Sequence, residues 1–229
     1  MRKIIIFILF VLVHACAQNS NRSEQSRTYP DHWWSPISDK NLPNWEILPD
    51  AGEKNRSVIL SKRHELGILS NFAATPFQLS GKQYASVEGL WQSTKYPDPK
   101  IKDDPRFKCK QFKLTRTQVE QLVSFEAKSA GDPGSACMKE LGIDWVSFEG
   151  NKFVYRLPER GPYFELIYSA MKAKLEQNPR VKEVLQQTQG LTLLPDHHTK
   201  TDDPPAWRYF EIWQEMRDQL LLSTLPVLN

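Results

Sequence analysis

The 229-residue sequence predicts an α+β fold, mainly α-helical with a few short strands, in a single domain. Apolar residues make up 40% of the chain and charged residues 25%, a mixture that excludes disordered and collagen-like proteins. Apolar residues recur at helical spacing through most of the second half, whereas the strand-like runs are short. The sequence has no internal repeat, and nothing in it supports a second domain.

The first residues have the pattern of an export signal. Arg2 and Lys3 precede an apolar run over residues 4–13, which is too short for a spanning helix because such a helix needs about 20 residues. The run then meets Val13-His14-Ala15-Cys16, which resembles the cleavage site of a bacterial lipoprotein signal. We therefore predict a signal peptide over residues 1–15, lipidation of Cys16 and a polar tether over residues 16–28. An ordinary buried cysteine is the alternative for Cys16.

These features predict an exported chain that is anchored to the bacterial cell envelope by lipid and contacts the membrane in no other way. The formal net charge is +3, and two of those positive charges lie in the signal peptide, so the rest of the chain is near +1. Such a chain is not expected to bind nucleic acids through their phosphate backbone. Cys109 and Cys137 are the remaining thiols, and the sequence leaves open whether they form a disulfide or stay free and buried.

The chain from residue 29 to residue 57 is rich in Trp and Pro. Trp33, Trp34 and Trp45 are separated by Pro36 and Pro43, so no long helix or strand can run through this stretch. We expect an extension over residues 29–57 that packs on a domain covering residues 58–229.

The first elements of that domain are two strand regions and a helix. Residues 58–60 predict a short strand, and residues 75–85 predict a hairpin with its turn at Ser80-Gly81. Ser86 is a good N-cap, and the apolar period then changes to that of a helix over residues 87–96, which Pro97 ends.

Helices dominate the remainder. The apolar spacing predicts a helix over residues 117–128, a shorter helix from about Ser135, and a helix that begins at Pro162 and ends at Asn178. Pro179 can open another helix. Residues 190–194 predict a strand, and a final helix is expected over residues 205–222.

Candidate chemistry lies on the helix that follows Ser86. Glu88, Trp91, Gln92 and Lys95 are spaced so that all four share one face. A solvated face with a weak ion pair is the alternative, but an aromatic residue between a carboxylate and an amine favours a partly dry cleft. In such a cleft the carboxylate and the amine can act as acid, base or nucleophile. The sequence lacks the motifs of dinucleotide-binding proteins, P-loop proteins, zincins and α/β-hydrolases.

Three motifs around this helix resemble the NADAR family, also called the YbiA-like family, in order and spacing. They are Leu69-Ser70-Asn71-Phe72-Ala73-Ala74, Ser80-Gly81-Lys82-Gln83-Tyr84 and Val87-Glu88-Gly89-Leu90-Trp91-Gln92-Ser93-Thr94-Lys95-Tyr96. The similarity extends more weakly to about Leu222. The resemblance implies a YbiA-like domain and an N-glycosidase that cleaves a ribosyl C–N bond without a cofactor. It also implies a substrate that carries ADP-ribose on a guanine base or is a ribosylamino pyrimidine.

The resemblance also implies roles for individual residues. Glu88 stabilises the positive charge that develops on the ribose, and Lys95 is a catalytic amine for which an imine with the opened ribose is a plausible intermediate. Asn71, Phe72, Trp91 and Gln92 bind the substrate. Two departures from the family pattern stand out: Gly89 replaces the usual His, and the loop before the last helix lacks the expected Asn and Gly.

That loop contains His197 and His198, which we predict to be polar contacts for the substrate, and a solvated loop is the alternative. A metal site is not expected there, because adjacent His side chains point in different directions and no further ligand motif supports them. Two other functions stay open. The chain could be a catalytically weak module that binds ADP-ribose, or a structural envelope lipoprotein that shares only the fold.

Overall fold

The computed structural model describes residues 27–39 and 41–223. The predicted signal peptide and Cys16 lie outside the described residues, as does most of the predicted tether. The helices are α1 (Val87–Ser93), α2 (Arg116–Glu120), α3 (Ser124–Glu140), α4 (Pro162–Gln177), α5 (Pro179–Gln187) and α6 (Tyr209–Ser223). The strands are β1 (Ser57–Ile59), β2 (Phe77–Leu79), β3 (Lys82–Tyr84), β4 (Trp145–Phe148), β5 (Asn151–Val154) and β6 (Thr192–Leu194). The predicted α+β class, mainly helical with short strands, is confirmed.

The strands of the described residues form three separate pairs. β1 and β6 pair in parallel, whereas β2–β3 and β4–β5 are antiparallel hairpins. Ser80 and Gly81 both have positive φ angles, 51° and 76°, and this tight turn confirms the predicted β2–β3 hairpin. The β4–β5 hairpin was not predicted. Its turn is Glu149-Gly150, and Glu149 adopts a positive φ of 52° that its residue type does not signal.

The core forms around α4, which lies against α1, α5 and β2. Ile167, Ala170 and Met171 on α4 are fully buried, as their helical spacing predicts. The extension packs on this core through Trp33 and Trp34, which belong to the same buried cluster. The Trp34 indole donates to the Ser57 carbonyl at 2.8 Å, so the extension is attached directly to the start of β1.

The predicted single helix over residues 117–128 is wrong. The chain ends α2 at Glu120 and starts α3 at Ser124, and α3 continues through Pro133 to Glu140, so the helix predicted near Ser135 is part of α3. Tertiary contacts explain the break. Ser124 adopts a φ of 55° and donates its backbone N–H to the Phe72 carbonyl, which places the start of α3 beside the Ser70-Asn71-Phe72 segment.

Several element boundaries also differ from prediction, and β6 covers Thr192–Leu194 rather than residues 190–194. β1 covers Ser57–Ile59 rather than residues 58–60. α1 ends at Ser93, and the chain continues to Tyr96 as a tight turn in which the Tyr96 N–H donates to the Ser93 carbonyl. Pro205–Trp207 is a separate 3₁₀ turn, so α6 begins at Tyr209. No helix in the described part of the chain combines the length and apolar character needed to cross a membrane.

The structure pairs the two thiols whose state the sequence left open. Cys109 and Cys137 form a disulfide with a Cα–Cα distance of 5.8 Å. It joins the segment after the 3₁₀ turn Pro105–Lys108 to the second half of α3. The bond therefore fixes the helix that packs behind α1.

Candidate active site

A cavity of about 480 Å³ opens between α1, the start of α3, the extension and the loop that follows β6. Seven aromatic side chains form most of its wall, and two lysines, two histidines and two carboxylates add polar groups. The lining residues are Trp45, Lys62, Ser70, Asn71, Phe72, Glu88, Trp91, Gln92, Phe125, Lys128, Tyr155, Asp196, His197, His198, Trp207 and Tyr209. The structure thus brings seven of the eight predicted catalytic and substrate-binding residues to one cavity, and Lys95 is the exception.

The first wall of the cavity is α1. Ser86 caps this helix, since its hydroxyl accepts from the Gly89 N–H at 2.9 Å and donates to the Leu122 carbonyl at 2.8 Å. The Glu88 N–H donates to the Asn71 carbonyl at 2.9 Å, which ties the helix to the neighbouring segment. The wall is therefore fixed at its N-terminal end by both a side chain and the backbone.

Gly89 permits the close approach of α1 to α2. A Cβ at this position would lie 2.7 Å from the Leu122 carbonyl oxygen and 3.0 Å from that of Val119. Because both atoms belong to the backbone, a larger side chain cannot be accommodated by a rotamer change. The glycine at position 89 is thus explained by packing.

Glu88 is buried, with 7% of its surface exposed. Its Oε1 accepts from the Gln92 side-chain amide at 2.7 Å. Burial raises the pKa of Glu88 above its ordinary value, and the Gln92 hydrogen bond and the charges of Lys95, Lys128 and Lys62 partly oppose that rise. The carboxyl group thus titrates closer to neutrality than an exposed glutamate.

Gln92 is held between Glu88 and α3. A Cβ on Gly131 would lie 1.7 Å from Gln92 Oε1, so only glycine at this position of α3 leaves room for the amide. Gln92 Oε1 has no hydrogen-bond partner among the described residues. The amide therefore has a fixed orientation toward Glu88 and an acceptor that is not used by the protein.

Lys95 lies in the tight turn that follows α1 and does not line the cavity. Its Nζ donates to Ser135 Oγ at 3.1 Å and sits 5.4 Å from the centre of the Tyr155 ring, which is itself part of the wall. Burial lowers the pKa of Lys95 to about 8, although the charges of Glu88 and Asp132 act in the opposite direction. The amine is thus buried and easily deprotonated, but it lies behind Tyr155 instead of facing the open space.

The Ser70-Asn71-Phe72 segment forms the edge next to α1. Phe72 contacts the Phe125 ring edge-to-face at 5.2 Å, and Asn71 Oδ1 has no hydrogen-bond partner among the described residues. Behind the segment, Lys174 Nζ donates to the Ser70 carbonyl at 2.7 Å. Lys174 is fully buried, and that burial lowers its pKa to about 7.

The second wall of the cavity is centred on Asp196, which is 1% exposed. Its carboxylate accepts from Lys62 Nζ, from His197 Nδ1 at 3.1 Å and from the Tyr209 hydroxyl at 3.4 Å. Burial alone would raise the pKa of Asp196, but the His197 hydrogen bond and the Lys62 charge lower it below its ordinary value. A charged carboxylate thus organises this side of the cavity.

The extension completes the second wall. The Ile47 N–H donates to the Asp196 carbonyl at 2.9 Å, and Glu46 forms an isolated antiparallel bridge with His197. This pairing places Trp45 at the rim, where its ring lies 5.9 Å from that of Phe125 and 5.6 Å from Lys62 Nζ. His197 stacks on the Tyr209 ring, with 6.0 Å between centroids and 9° between planes.

Sequence reasoning missed most of the second wall. Trp45, Lys62 and Asp196 come from three segments that are distant in sequence, and none of them lies in a motif with fixed spacing. Asp196 carried a weak signal because it adjoins the two histidines, and Trp45 carried one as an aromatic residue in a Pro-rich segment. No cluster of three or more His, Cys, Asp or Glu side chains suited to a metal ion occurs among residues 27–39 and 41–223.

Comparisons with known proteins give one structural likeness. No family model matches the sequence, and no curated protein matches it. The structure is similar to the NMR structure of the Escherichia coli protein YbiA, with a TM-score of 0.41 and 18% sequence identity. That likeness covers 77% of this chain and 92% of the YbiA chain.

Proposed function

We propose that this protein is an N-glycosidase that hydrolyses a ribosyl C–N bond, with an ADP-ribosyl group linked to a guanine base, or a related ribosylamino compound, as its substrate. The observation that carries the proposal is the buried Glu88 in the wall of an aromatic cavity. A cavity of about 480 Å³ falls within the range of about 300–1,000 Å³ that is usual for small-molecule sites. The sequence motifs shared with the NADAR family lead to the same reaction class.

Glu88 acts on the ribose in this proposal. Breaking a ribosyl C–N bond develops positive charge at the anomeric carbon, and a nearby carboxylate stabilises that charge most strongly where water is excluded. Gln92 donates to Glu88 and fixes the carboxylate before substrate binds. Because burial raises the pKa of Glu88, the active carboxylate form is lost at a higher pH than for an exposed glutamate, and turnover is expected to fall as the pH decreases through that pKa.

The remaining wall residues bind the rest of the substrate. Phe72, Trp91 and Trp45 offer faces for stacking a base, and stacking on aromatic side chains is tolerant of base identity. Lys62 and Lys128 add positive charge to the wall and suit a diphosphate group. Asn71 and Gln92 each carry an oxygen without a protein partner, which suits donors on the ribose or the base.

Lys95 keeps a catalytic role in the proposal, and its lowered pKa supports that role. An amine with a pKa of about 8 is partly neutral near pH 8, and only the neutral form attacks the opened ribose to form an imine. For this step the side chain must leave Ser135 and pass the Tyr155 ring. Trapping with borohydride tests the intermediate, since reduction of an imine leaves the sugar covalently attached to Lys95.

The test of the function is chromatographic detection of ADP-ribose released from ADP-ribosylated guanosine. The wild-type protein is expected to release it, and Glu88→Gln is expected to lose at least about 100-fold in turnover because the charge on the carboxylate is removed. Lys95→Ala tests the amine. Glu165→Gln is the matched control, because Glu165 is an exposed residue of α4 away from the cavity. Equal turnover by wild type and Glu88→Gln would contradict the proposal.

A binding module without turnover is the second candidate, and the position of Lys95 behind Tyr155 favours it. In that case calorimetry detects binding of ADP-ribose while no release occurs. The third function left open by the sequence, a structural lipoprotein, is expected to show no concave site around Glu88. The cavity therefore weighs against it.

We also propose that the chain is exported and anchored by lipid through Cys16, which lies outside the described residues. The disulfide between Cys109 and Cys137 supports export, because such bonds persist mainly outside the reducing cytoplasm. Cys16→Ala is expected to release the protein from the membrane fraction of bacterial cells. Retention of that variant in the membrane fraction would contradict the anchor.

A further inference from the structure

Asp196 and His197 form a hydrogen-bonded pair on the second wall of the cavity. His197 Nδ1 lies 3.1 Å from Asp196 Oδ1, and Asp196 is 1% exposed. A carboxylate can only accept in such a bond, so the neutral imidazole carries its proton on Nδ1. Nε2 is then an acceptor, which is the arrangement that a general base requires.

The surroundings hold the imidazole ring in one position. Tyr209 stacks on it with an interplanar angle of 9°, and the backbone of His197 pairs with that of Glu46. Asp196 is oriented in turn by Lys62 Nζ and by the Tyr209 hydroxyl. Four segments of the chain therefore fix a side chain that is not needed for the core.

His197 also has access to the cavity. It lines the cavity wall and its side chain is 41% exposed. Nε2 has no hydrogen-bond partner among the described residues, whereas the other ring nitrogen is engaged by Asp196. His198 lines the same cavity but has no carboxylate partner in the described part of the chain, so the two histidines are not equivalent.

We infer that His197 is the general base that activates water for attack on the anomeric carbon, and that Asp196 is its positioning residue. This inference rests on the proposed N-glycosidase function. Water transfers a proton to His197 Nε2 while its oxygen forms a bond to the anomeric carbon. The C–N bond breaks, its electron pair leaves with the nitrogen of the base, that nitrogen takes up one proton from solvent, and His197 returns its proton to solvent. The step consumes one water and needs no other reactant, and it is an alternative to the imine route through Lys95, from which borohydride trapping distinguishes it.

The assignment divides the chemistry between the two walls. Glu88 on α1 stabilises charge on the ribose, and His197 on the second wall supplies the nucleophile. The charged and titratable groups that face His197 are Asp196, the Tyr209 phenol and, through Asp196, Lys62. Among these, Asp196 and Tyr209 contact the imidazole directly.

The kinetic test uses the full domain and ADP-ribosylated guanosine as the probe. His197→Ala is expected to lower kcat by about 100-fold or more while KM changes by less than about threefold, and added imidazole is expected to restore part of the rate. His32→Ala is the control, because His32 is an exposed residue bonded to Glu65 away from the cavity. Turnover of His197→Ala within about threefold of wild type would overturn the inference.

The second measurement reads the tautomer directly by ¹⁵N NMR of the histidine rings. Neutral His197 is expected to carry its proton on Nδ1, and Asp196→Asn is expected to shift the proton to Nε2 and to lower kcat. A wild-type His197 protonated on Nε2 overturns the inference even if the variants lose activity. If wild type and His32→Ala both fail to release ADP-ribose, the proposed function itself fails and the base fails with it. If wild type, His32→Ala and His197→Ala all release ADP-ribose at similar rates, the proposed function stands and only the assignment of His197 as general base fails.

Discussion

The two walls of the cavity are held in place by different means. The α1 wall is one helix, fixed by the Ser86 cap, by close packing of Gly89 on neighbouring backbone and by contact of the Gln92 side chain with Gly131. The second wall is assembled from the extension, the loop after β1 and the loop after β6. These segments meet through polar side chains around Asp196 and through the backbone bridge between Glu46 and His197.

This difference predicts how each wall responds to amino-acid substitution. A helix packed into the core moves only when the core moves, so a change behind α1 is expected to affect folding or the alignment of Glu88. A wall made of loops can alter while the core stays intact, so changes at its rim, such as those at Trp45, are expected to affect ligand binding. The following variants test this division.

The largest effect is expected from Gly89→Ala. The new Cβ would lie 2.7 Å from the Leu122 carbonyl oxygen, and because this atom is backbone the helices must separate. Overpacking of this kind is expected to lower the free energy of unfolding by about 1–3 kcal/mol. Urea unfolding measures this loss. Ser129→Ala on the exposed face of α3 is the control for helix propensity. A Gly89→Ala protein as stable as wild type would show that α1 is not fixed by this contact.

Gly131→Ala is expected to spare folding and harm turnover. Its Cβ would meet the end of the Gln92 side chain, which can rotate away at the cost of its hydrogen bond to Glu88. A hydrogen bond to a charged group contributes about 1.5–3 kcal/mol, so the loss in kcat is expected to be about tenfold or more. Urea unfolding and the release assay on the same sample separate the two effects. Unchanged kcat would show that Gln92 does not orient Glu88.

Lys174→Met tests the buried amine that donates to the Ser70 carbonyl. The pKa of Lys174 is about 7 in the folded protein and 10.5 when unperturbed, so between these pH values the unfolded chain binds the proton more tightly. Wild type therefore gains stability as pH rises through this window, by up to about 1.4 kcal/mol per pH unit, and the Met variant lacks that gain. The measurement is urea unfolding at several pH values, with Lys172→Met on the exposed side of α4 as control. Parallel pH profiles for wild type and Lys174→Met would contradict the burial of a titrating amine.

Trp45→Ala is expected to have the smallest effect of these variants. It alters the second wall without changing α1. Trp45 is 38% exposed, so its removal is expected to change unfolding by less than about 0.5 kcal/mol. Stacking on an aromatic side chain contributes about 1 kcal/mol or more, so calorimetry is expected to show ADP-ribose binding at least about fivefold weaker. Phe107→Ala is the control, because it removes another exposed aromatic ring that does not line this cavity. Equal losses of affinity in both variants would mean that Trp45 has no specific role.

The same division explains what could be predicted from the sequence. Glu88, Trp91 and Gln92 lie at helical spacing within one turn of each other, so local periodicity was enough to place them on one face. The hairpin turn at Ser80-Gly81 was likewise local. Lys95 shared the spacing, but the packing of Tyr155 from the unpredicted β4–β5 region separates it from the cavity, and no local pattern encodes that.

The second wall depends on contacts between residues more than a hundred positions apart, such as Lys62 with Asp196. Neither residue stands out in its own segment, because a lysine and an aspartate in polar loops are common surface residues. The break between α2 and α3 has a similar origin. It follows from the approach of Phe72 and α1, whereas the apolar spacing of residues 117–128 alone favours a continuous helix.

The attachment of Trp45 bears on how this protein could acquire new substrates. The extension is attached to the domain through Trp33 and Trp34 in the core and through the Glu46–Arg63 ion pair, and the side-chain hydrogen bonds of these residues go to Glu65, Ser57 and Arg63, which lie outside α1. Exchange of residues around Trp45 therefore changes the shape of the cavity mouth without altering the helix that carries Glu88. Divergence within a lineage, or loop grafting in the laboratory, can thus vary ligand choice on a constant catalytic helix.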